Sequence, residues 1–341
     1  MKRKGILSLS IKKIVFIAAA VSCLFVLTIL IYAHTPIDDR RIVSLVEIPK
    51  GASFVKIVDI LDQKGLVEIK PIFYVLAIVK GAARQIRAGE YEFVSTMTPD
   101  HIIDRLVRGE IKKYKVIIRE DLTFRDIAAI LSADEYKLVS EEAFHAAASD
   151  PVLLASLGIT AATAEGYLFP ETYFFDHTMN ARDIITTMVH QFRKKVAPEM
   201  IKKAEKLGLT EIELITLASL IGKESGNKQE KVIISAVFHN RLKKGMKLQS
   251  DPTAIYDLWN FSGGIKRSHL KRKSPYNTYV IDRLPPGPIA NPGIDSLEAA
   301  VNPAPVPYLY FVSQNDGTHY FSSNLSDHNE AALKFQMAKQ K

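Results

Sequence analysis

The sequence predicts an α+β protein: one membrane-crossing helix, then a small module of strands and capped helices, then a larger α+β domain. Three observations predict it. Ile14 to Ala33 is an unbroken run without a charge. A strand followed by a capped helix is legible at residues 43–61 and again, offset by 70, at 118–131. From Glu165 onward, helical periodicity mixes with loops and a hairpin signal, without the βαβ alternation of a parallel sheet. The length of 341 residues, with 47% hydrophobic and 24% charged, suits about two globular domains with a substantial core.

The uncharged run is about 20 residues at ~1.5 Å each, enough to cross a bilayer core. It is longer than the apolar stretch of a typical signal peptide, and Tyr32-Ala33-His34-Thr35-Pro36 is a poor cleavage site, so an uncleaved anchor is expected. Lys2, Arg3, Lys4, Lys12 and Lys13 precede it, which predicts a cytoplasmic N-terminus and places everything after His34 outside the membrane. These five cations supply much of the formal net charge of +8, which weakens a nucleic-acid reading. The only cysteine, Cys23, lies in the span, so the exported part has no disulfides, no cysteine nucleophile and no thiolate metal site.

Residues 34–42 read as a polar stalk. Val43 to Ile48 alternates as a strand, and Ser53 is a plausible N-cap for a helix whose apolar positions are Phe54, Ile57, Ile60 and Leu61. The copy at 118–131 replaces Ser53 by Thr123 and matches Phe124, Ile127, Ile130 and Leu131 to those positions. Thr98-Pro99 opens a third capped helix, and Ala88 to Phe93 reads as a short strand after a turn. Units of this kind resemble the LysM-like fold, a small βααβ module that binds N-acetylglucosamine polymers. A generic α+β module with the same caps and apolar stripes is the competing reading.

In the larger domain, Ala181 to Lys206 is mostly helical in pattern. Tyr308 to Val312 and His319 to Phe321 flank Asn315-Asp316-Gly317 as a hairpin, and Asp327 to Glu330 reads as the capped start of a last helix. Within 213–224, Leu217, Leu220 and Ile221 share one helical face, and Glu224 continues that stripe. Desolvation at the edge of an apolar face and a place near a helix C-terminus both raise a carboxyl pKa, as a general acid working near neutrality requires. Pairing with Lys223 or Lys228 on a solvated helix end would explain the same residue without chemistry.

A second helix over 232–242 delivers Asn240, and Gln249-Ser250-Asp251-Pro252 is a turn with Asp251 as the expected N-cap. Lys266 to Lys273 holds five cations in eight residues, a solvated loop or a contact for an acidic polymer. Tyr276, Asn277 and the proline-rich stretch 284–293 supply rings and amides, which suit the apolar faces and the hydroxyl and acetamido groups of sugars. A rigid loop with no ligand has the same composition. No His, Asp or Glu cluster has metal-ligand spacing, and no phosphate loop is present, so neither metal nor cofactor is expected.

Six ordered segments together resemble one family. They are Leu217 to Ser225, Val237 to Leu242, Met246 to Thr253, Tyr276 to Tyr279, Leu284 to Ile289 and Pro307 to Val312, and they are similar to the endolytic murein transglycosylases, the MltG or YceG-like family. The resemblance implies a lytic transglycosylase that cuts the bond between N-acetylmuramic acid and N-acetylglucosamine in peptidoglycan without water, leaving 1,6-anhydro ends and terminating nascent strands. It puts the catalytic glutamate at Glu224; around it Asn240, Gln249, Ser250, Asp251, Tyr276 and Asn277 are our expected sugar-binding residues and Glu165 a helper. Gly222 and Ser225 depart from the bulkier or differently polar neighbours expected there. The expected layout is a tail at 1–13, a span at 14–33, a stalk at 34–42, a LysM-like module at 43–115 and a catalytic domain at 116–341, with 116–160 as a linking part. Glycan strands are the expected partner, peptidoglycan synthases a further one, and the bacterial inner membrane the expected location. A hydrolytic muramidase pairing Glu224 with Asp251, and a non-catalytic glycan-binding scaffold, are the alternatives.

Overall fold

The uncharged run lies within one continuous helix, α1 (Arg3–His34), in the computed structural model, which describes residues 3–259 and 261–339. Met1 and Lys2 of the basic tail lie outside the described residues. The stretch Ile11–His34 is long and apolar enough to cross a membrane, and its large apolar side chains, Ile14, Phe16, Leu24 and Leu30 among them, are exposed. The chain divides into two units, residues 1–114 with 176–178, and residues 115–175 with 179–341.

After α1 the first unit runs β1 (Val43–Ile48), α2 (Phe54–Gln63), α3 (Lys70–Val79), β2 (Gly89–Val94) and α4 (Pro99–Arg108). β1 and β2 pair antiparallel, Val43 opposite Val94 and Ile48 opposite Gly89. The period of two in each strand sends Val46, Ile48, Tyr91 and Phe93 to one buried face, onto which the helices lay Ile57, Leu61, Phe73, Ile102 and Leu106. The caps form as expected: Ser53 Oγ accepts from Lys56 N–H and Thr98 Oγ1 from His101 N–H, both at 3.3 Å. The segment expected as a stalk touches this unit at a few points. Ile42 N–H donates to Ser95 Oγ, Asp38 N–H donates to Ser95 O, and Ala33 at the end of α1 is buried in this unit's core. Ile37 packs partly buried against the same core, while most of the other residues in 34–42 stay exposed.

The second unit takes up the chain in β3 (Tyr114–Ile117), then α5 (Phe124–Ser132), α6 (Glu141–Ala148), α7 (Pro151–Ser156) and β4 (Thr172–Phe175), which pairs with β3. Next come α8 (Ala181–Lys195), α9 (Pro198–Lys206), α10 (Glu211–Glu224), α11 (Lys228–Lys243), the short α12 (Arg267–Leu270) and α13 (Ile294–Val301). A hairpin of β5 (Tyr310–Ser313) and β6 (His319–Ser322) and a last helix α14 (Leu325–Lys339) complete it. The internal repeat is real as local structure, since Thr123 and Asp126 form a capping box at the start of α5 just as Ser53 caps α2. Its strands nonetheless join separate sheets, β1 with β2 and β3 with β4.

α10 is the centre of this unit. Every residue from Leu214 to Gly222 is buried, against α9, α11, α13 and the turn at 251–254. The expected single apolar stripe therefore understates its setting: Thr216 and Ser219 are buried too, made tolerable because their hydroxyls donate to Ile212 O and Thr216 O within the helix. The last helix also starts earlier than expected. Asn324, not Asp327, is its cap, accepting from Asp327 N–H at 2.9 Å.

Candidate active site

Glu224 is the last residue of α10, and a helix enclosed on all sides delivers its final side chain into a desolvated place. Its carboxyl keeps partial access to solvent, yet burial pushes its pKa up to about 7. Ser250 Oγ donates to Glu224 Oε1 at 2.5 Å and pulls the other way, as do His319 and Arg241, while the charge of Asp251 adds to the rise. Neither neighbouring lysine pairs with it. Lys228 is bound to Asp295 at 2.6 Å, and Lys223 Nζ donates to Asp121 O at 3.2 Å.

Ser250 is fixed from below. Its N–H donates to Thr278 Oγ1 at 2.9 Å, its carbonyl accepts from Thr253 Oγ1 at 2.6 Å, and the two threonine hydroxyls meet at 2.8 Å, all buried. Asp251 is not the expected cap: it is the first residue of a 3₁₀ turn (Asp251–Ala254), and its Oδ1 accepts from Tyr279 OH at 2.5 Å at the surface. Gln249 stands beside them at φ 51°, a left-handed backbone unusual for a residue with a side chain. Arg241 holds that loop in place. Its buried guanidinium donates to Leu309 O at 2.6 Å, Leu248 O at 2.8 Å, Lys247 O at 3.1 Å and Gln249 Oε1 at 3.3 Å.

The remaining sequence-predicted residues fall elsewhere. Asn277 is fully buried; its Nδ2 faces the carbonyls of His269, Leu270 and Arg272 and its Oδ1 accepts from Tyr279 N–H, so it shapes the loop and has no group left for a ligand. Asn240 Nδ2 donates to Val306 O and Tyr308 O, both at 2.9 Å, and the residue borders a separate cleft of about 590 Å³ with Leu207 and Pro285. In the proline-rich stretch, Ile289, Ala290 and Asn291 are buried core rather than open loop. Glu165 is buried in a second network, accepting from Phe124 N–H, Asn291 Nδ2 and Tyr256 OH at 2.8–3.0 Å, and burial pushes its pKa up to about 8. Tyr276 is half-buried there, its ring 4.8 Å from that of Tyr256.

Three features escape sequence reasoning. Glu230 on α11 accepts from both the backbone N–H of His319, at 2.9 Å, and its ring Nδ1, at 2.7 Å, so the hairpin is tied to the helix that follows Glu224. The position of Glu230, six residues past Glu224 on the adjacent helix, was the only signal. Arg241 lies in the segment Val237 to Leu242, but nothing local marks it as buried. Finally, Asp121, at φ 63°, pushes its carboxyl against α10, so that a Cβ on Gly222 would lie 1.9 Å from Asp121 Oδ1. That explains the unexpected glycine. Asp121 Oδ1 is buried without a hydrogen-bond partner, and desolvation pushes the pKa to about 6 against the pull of Lys231. Gly222→Ala is expected to destabilise the fold by about 1–3 kcal/mol through this overlap. In an Asp121→Gly background most of that loss should vanish, and equal losses in both backgrounds in chemical denaturation would remove Asp121 from the explanation.

A carboxylic acid that titrates near neutrality, backed by a hydroxyl on a rigid turn, defines a site able to give and take back one proton at a partly dry surface. The chain belongs to the YceG-like family, whose model matches residues 46–334. It is 33% identical over 318 residues to a Bacillus subtilis protein named endolytic murein transglycosylase, a match covering 88% of this chain and 87% of that one. A Streptococcus pneumoniae protein of the same name is 30% identical over 313 residues, covering 83% of this chain and 56% of that longer protein. Among solved structures, a YceG-like protein of Listeria monocytogenes matches with a TM-score of 0.58 at 32% identity, over 85% of this chain and 99% of that chain.

Proposed function

We propose that this chain is an endolytic murein transglycosylase in which Glu224 acts first as acid and then as base. The observation that carries the reading is the carboxyl of Glu224 itself, raised to about 7 by desolvation at the end of α10 and held by Ser250. Protonated Glu224 donates to the oxygen bridging N-acetylmuramic acid and N-acetylglucosamine. The C1–O bond breaks through an oxocarbenium-like state, the muramoyl C6 hydroxyl attacks C1, and Glu224 recovers a proton from that hydroxyl. Attack from within the substrate gains a large effective molarity, so no second carboxylate has to position a water. Asp251, engaged by Tyr279, fits that economy. Gln249 and Ser250 on their rigid turn and the half-buried Tyr276 are assigned to sugar positioning, Asn240 and Asn277 to support of the loops, and Glu165 to the second network.

Residues 43–115 are assigned to glycan binding on the strength of their βααβ order, which is that of a LysM-like module, and 116–341 to catalysis. α1 is assigned as a single-pass anchor in the bacterial inner membrane, its basic flank cytoplasmic and the enzyme outside. Nascent strands made by neighbouring synthases are the substrate this placement favours.

Mass analysis of strand ends decides the chemistry: 1,6-anhydro ends are expected, and reducing ends would instead identify a muramidase using Asp251. The pH profile tests the acid. Because Glu224 must start protonated, cleavage is expected to fall as pH rises through about 7. The hydroxyl of Ser250 favours the ionised carboxyl, so Ser250→Ala should move that alkaline limb to higher pH. An unmoved or lowered limb would contradict the assignment.

A further inference from the structure

A cleft of about 390 Å³ is lined by Lys223, the residue before Glu224, by Pro252 and Ile255 of the turn that follows Ser250, and by Arg125 and Tyr256. Arg125 is held as a flat cation among rings, its guanidinium 5.0 Å from the centre of Trp259, 5.1 Å from Tyr256 and 5.6 Å from Phe124. One Nη donates to Tyr256 O at 2.8 Å, whereas its Nε is buried with no acceptor. A buried N–H on a fixed guanidinium is costly unless something supplies an oxygen. The acid lining the cleft, Asp126, is spent in the capping box, its Oδ2 accepting from Thr123 N–H and Oγ1, both at 2.8 Å. Lys223 adds a second cation one residue before Glu224.

We propose that this cleft receives the carboxylate-bearing substituent of the muramoyl residue, with Arg125 and Lys223 binding the anion and Pro252, Ile255 and Tyr256 its short apolar arm. The inference rests on the glycan-cleaving reading of Glu224 and adds to it what places the sugar next to the acid. Two sources carry that chemistry on a glycan strand, the lactyl carboxylate itself and the peptide stem attached to it. The rigid, stacked fork of Arg125 suits a planar carboxylate better than a hydroxyl, and chitin-like sugars offer no such group.

The chain contains a single tryptophan, Trp259, which is 62% exposed and lies against Arg125, so its emission reports on the surroundings of that guanidinium. The test titrates the full-length Glu224→Gln protein in detergent with three probes: N-acetylglucosaminyl-N-acetylmuramic acid bearing its peptide stem, the same disaccharide with a free lactyl carboxylate, and chitobiose. A saturable change in emission is expected with one or both of the first two, and little with chitobiose. The first probe alone assigns the stem; both alike assign the lactyl group. Arg125→Met should weaken that binding about tenfold, and Lys223→Met, which keeps the aromatic stack intact, should weaken it in the same sense should the arginine variant not fold. Equal binding of chitobiose, or affinities unchanged within about twofold in both variants, would overturn the proposal. Cleavage by the native protein is measured separately, so a cleft that binds in a protein that does not cut separates the failure of the enzymatic reading from the failure of this one.

Discussion

Glu224→Gln is expected to lower strand cleavage by roughly a thousandfold while leaving the fold intact, since proton transfer by a placed group is worth about 10²–10⁴. The reason for an intact fold is local. Gln is isosteric, its side-chain oxygen can still accept from Ser250, and removing an ionisable group from a desolvated site relieves a penalty on the charged form. Two measurements are needed together: release of strand fragments, and thermal unfolding. Cleavage persisting within tenfold of wild type would remove Glu224 from the chemistry, whereas lost cleavage together with a large drop in unfolding temperature would leave it a structural residue. A glycan-binding scaffold without catalysis makes the opposite forecast, because its function would survive this change.

Arg241→Met is expected to have the largest effect on stability, about 3–5 kcal/mol, as for breaking a buried charged cluster from one side. The methionine fills part of the volume but leaves the carbonyls of Leu309, Lys247 and Leu248 without the donor they share. Two segments distant in sequence, the turn before Ser250 and the strand start at Leu309, are joined through this one guanidinium. The same group bonds the side chain of Gln249, which stands in a left-handed conformation, so its loss should loosen the turn that carries Ser250 to Glu224. Cleavage is then expected to fall through both kcat and KM, since the same turn carries Ser250, which holds the acid, and Gln249, which is assigned to sugar positioning. A variant that melts within about 1 kcal/mol of wild type would show that solvent or neighbouring donors replace the arginine.

Much of the fold was legible because it is governed by near neighbours. The span of α1 follows from an uncharged run, the strands of the first module from a period of two, and the capped helices from Ser53, Thr98 and Thr123, whose side chains bond within three residues of themselves. The hairpin at Asn315 to Gly317 formed for the same reason, with Asn315 and Gly317 both at positive φ. The cover over Ala33 and Ile37 was not legible, because whether they meet water depends on what folds over them, and only the packed module supplies it. The burial of Thr216 and Ser219, in the second and third turns of α10, was not legible either: hydroxyls that bond back into their own helix look polar in a sequence and apolar to their surroundings.

At the site, the sequence by itself put Glu224 forward as the candidate acid, through its place in an ordered set of motifs at the end of a helix of core residues. What surrounds the acid was decided by tertiary structure alone. Amides read as sugar ligands, Asn277 and Asn240, turned out to bond backbone carbonyls, because an amide in a loop serves a ligand or the chain equally well and only burial selects between them. The contacts of Arg241 with Leu309, of Glu230 with His319 and of Asp121 with Gly222 join residues 68, 89 and about 100 positions apart. No periodicity or local spacing encodes such a pairing; it exists only once the hydrophobic burial of α10 has brought those segments to the same end of one helix.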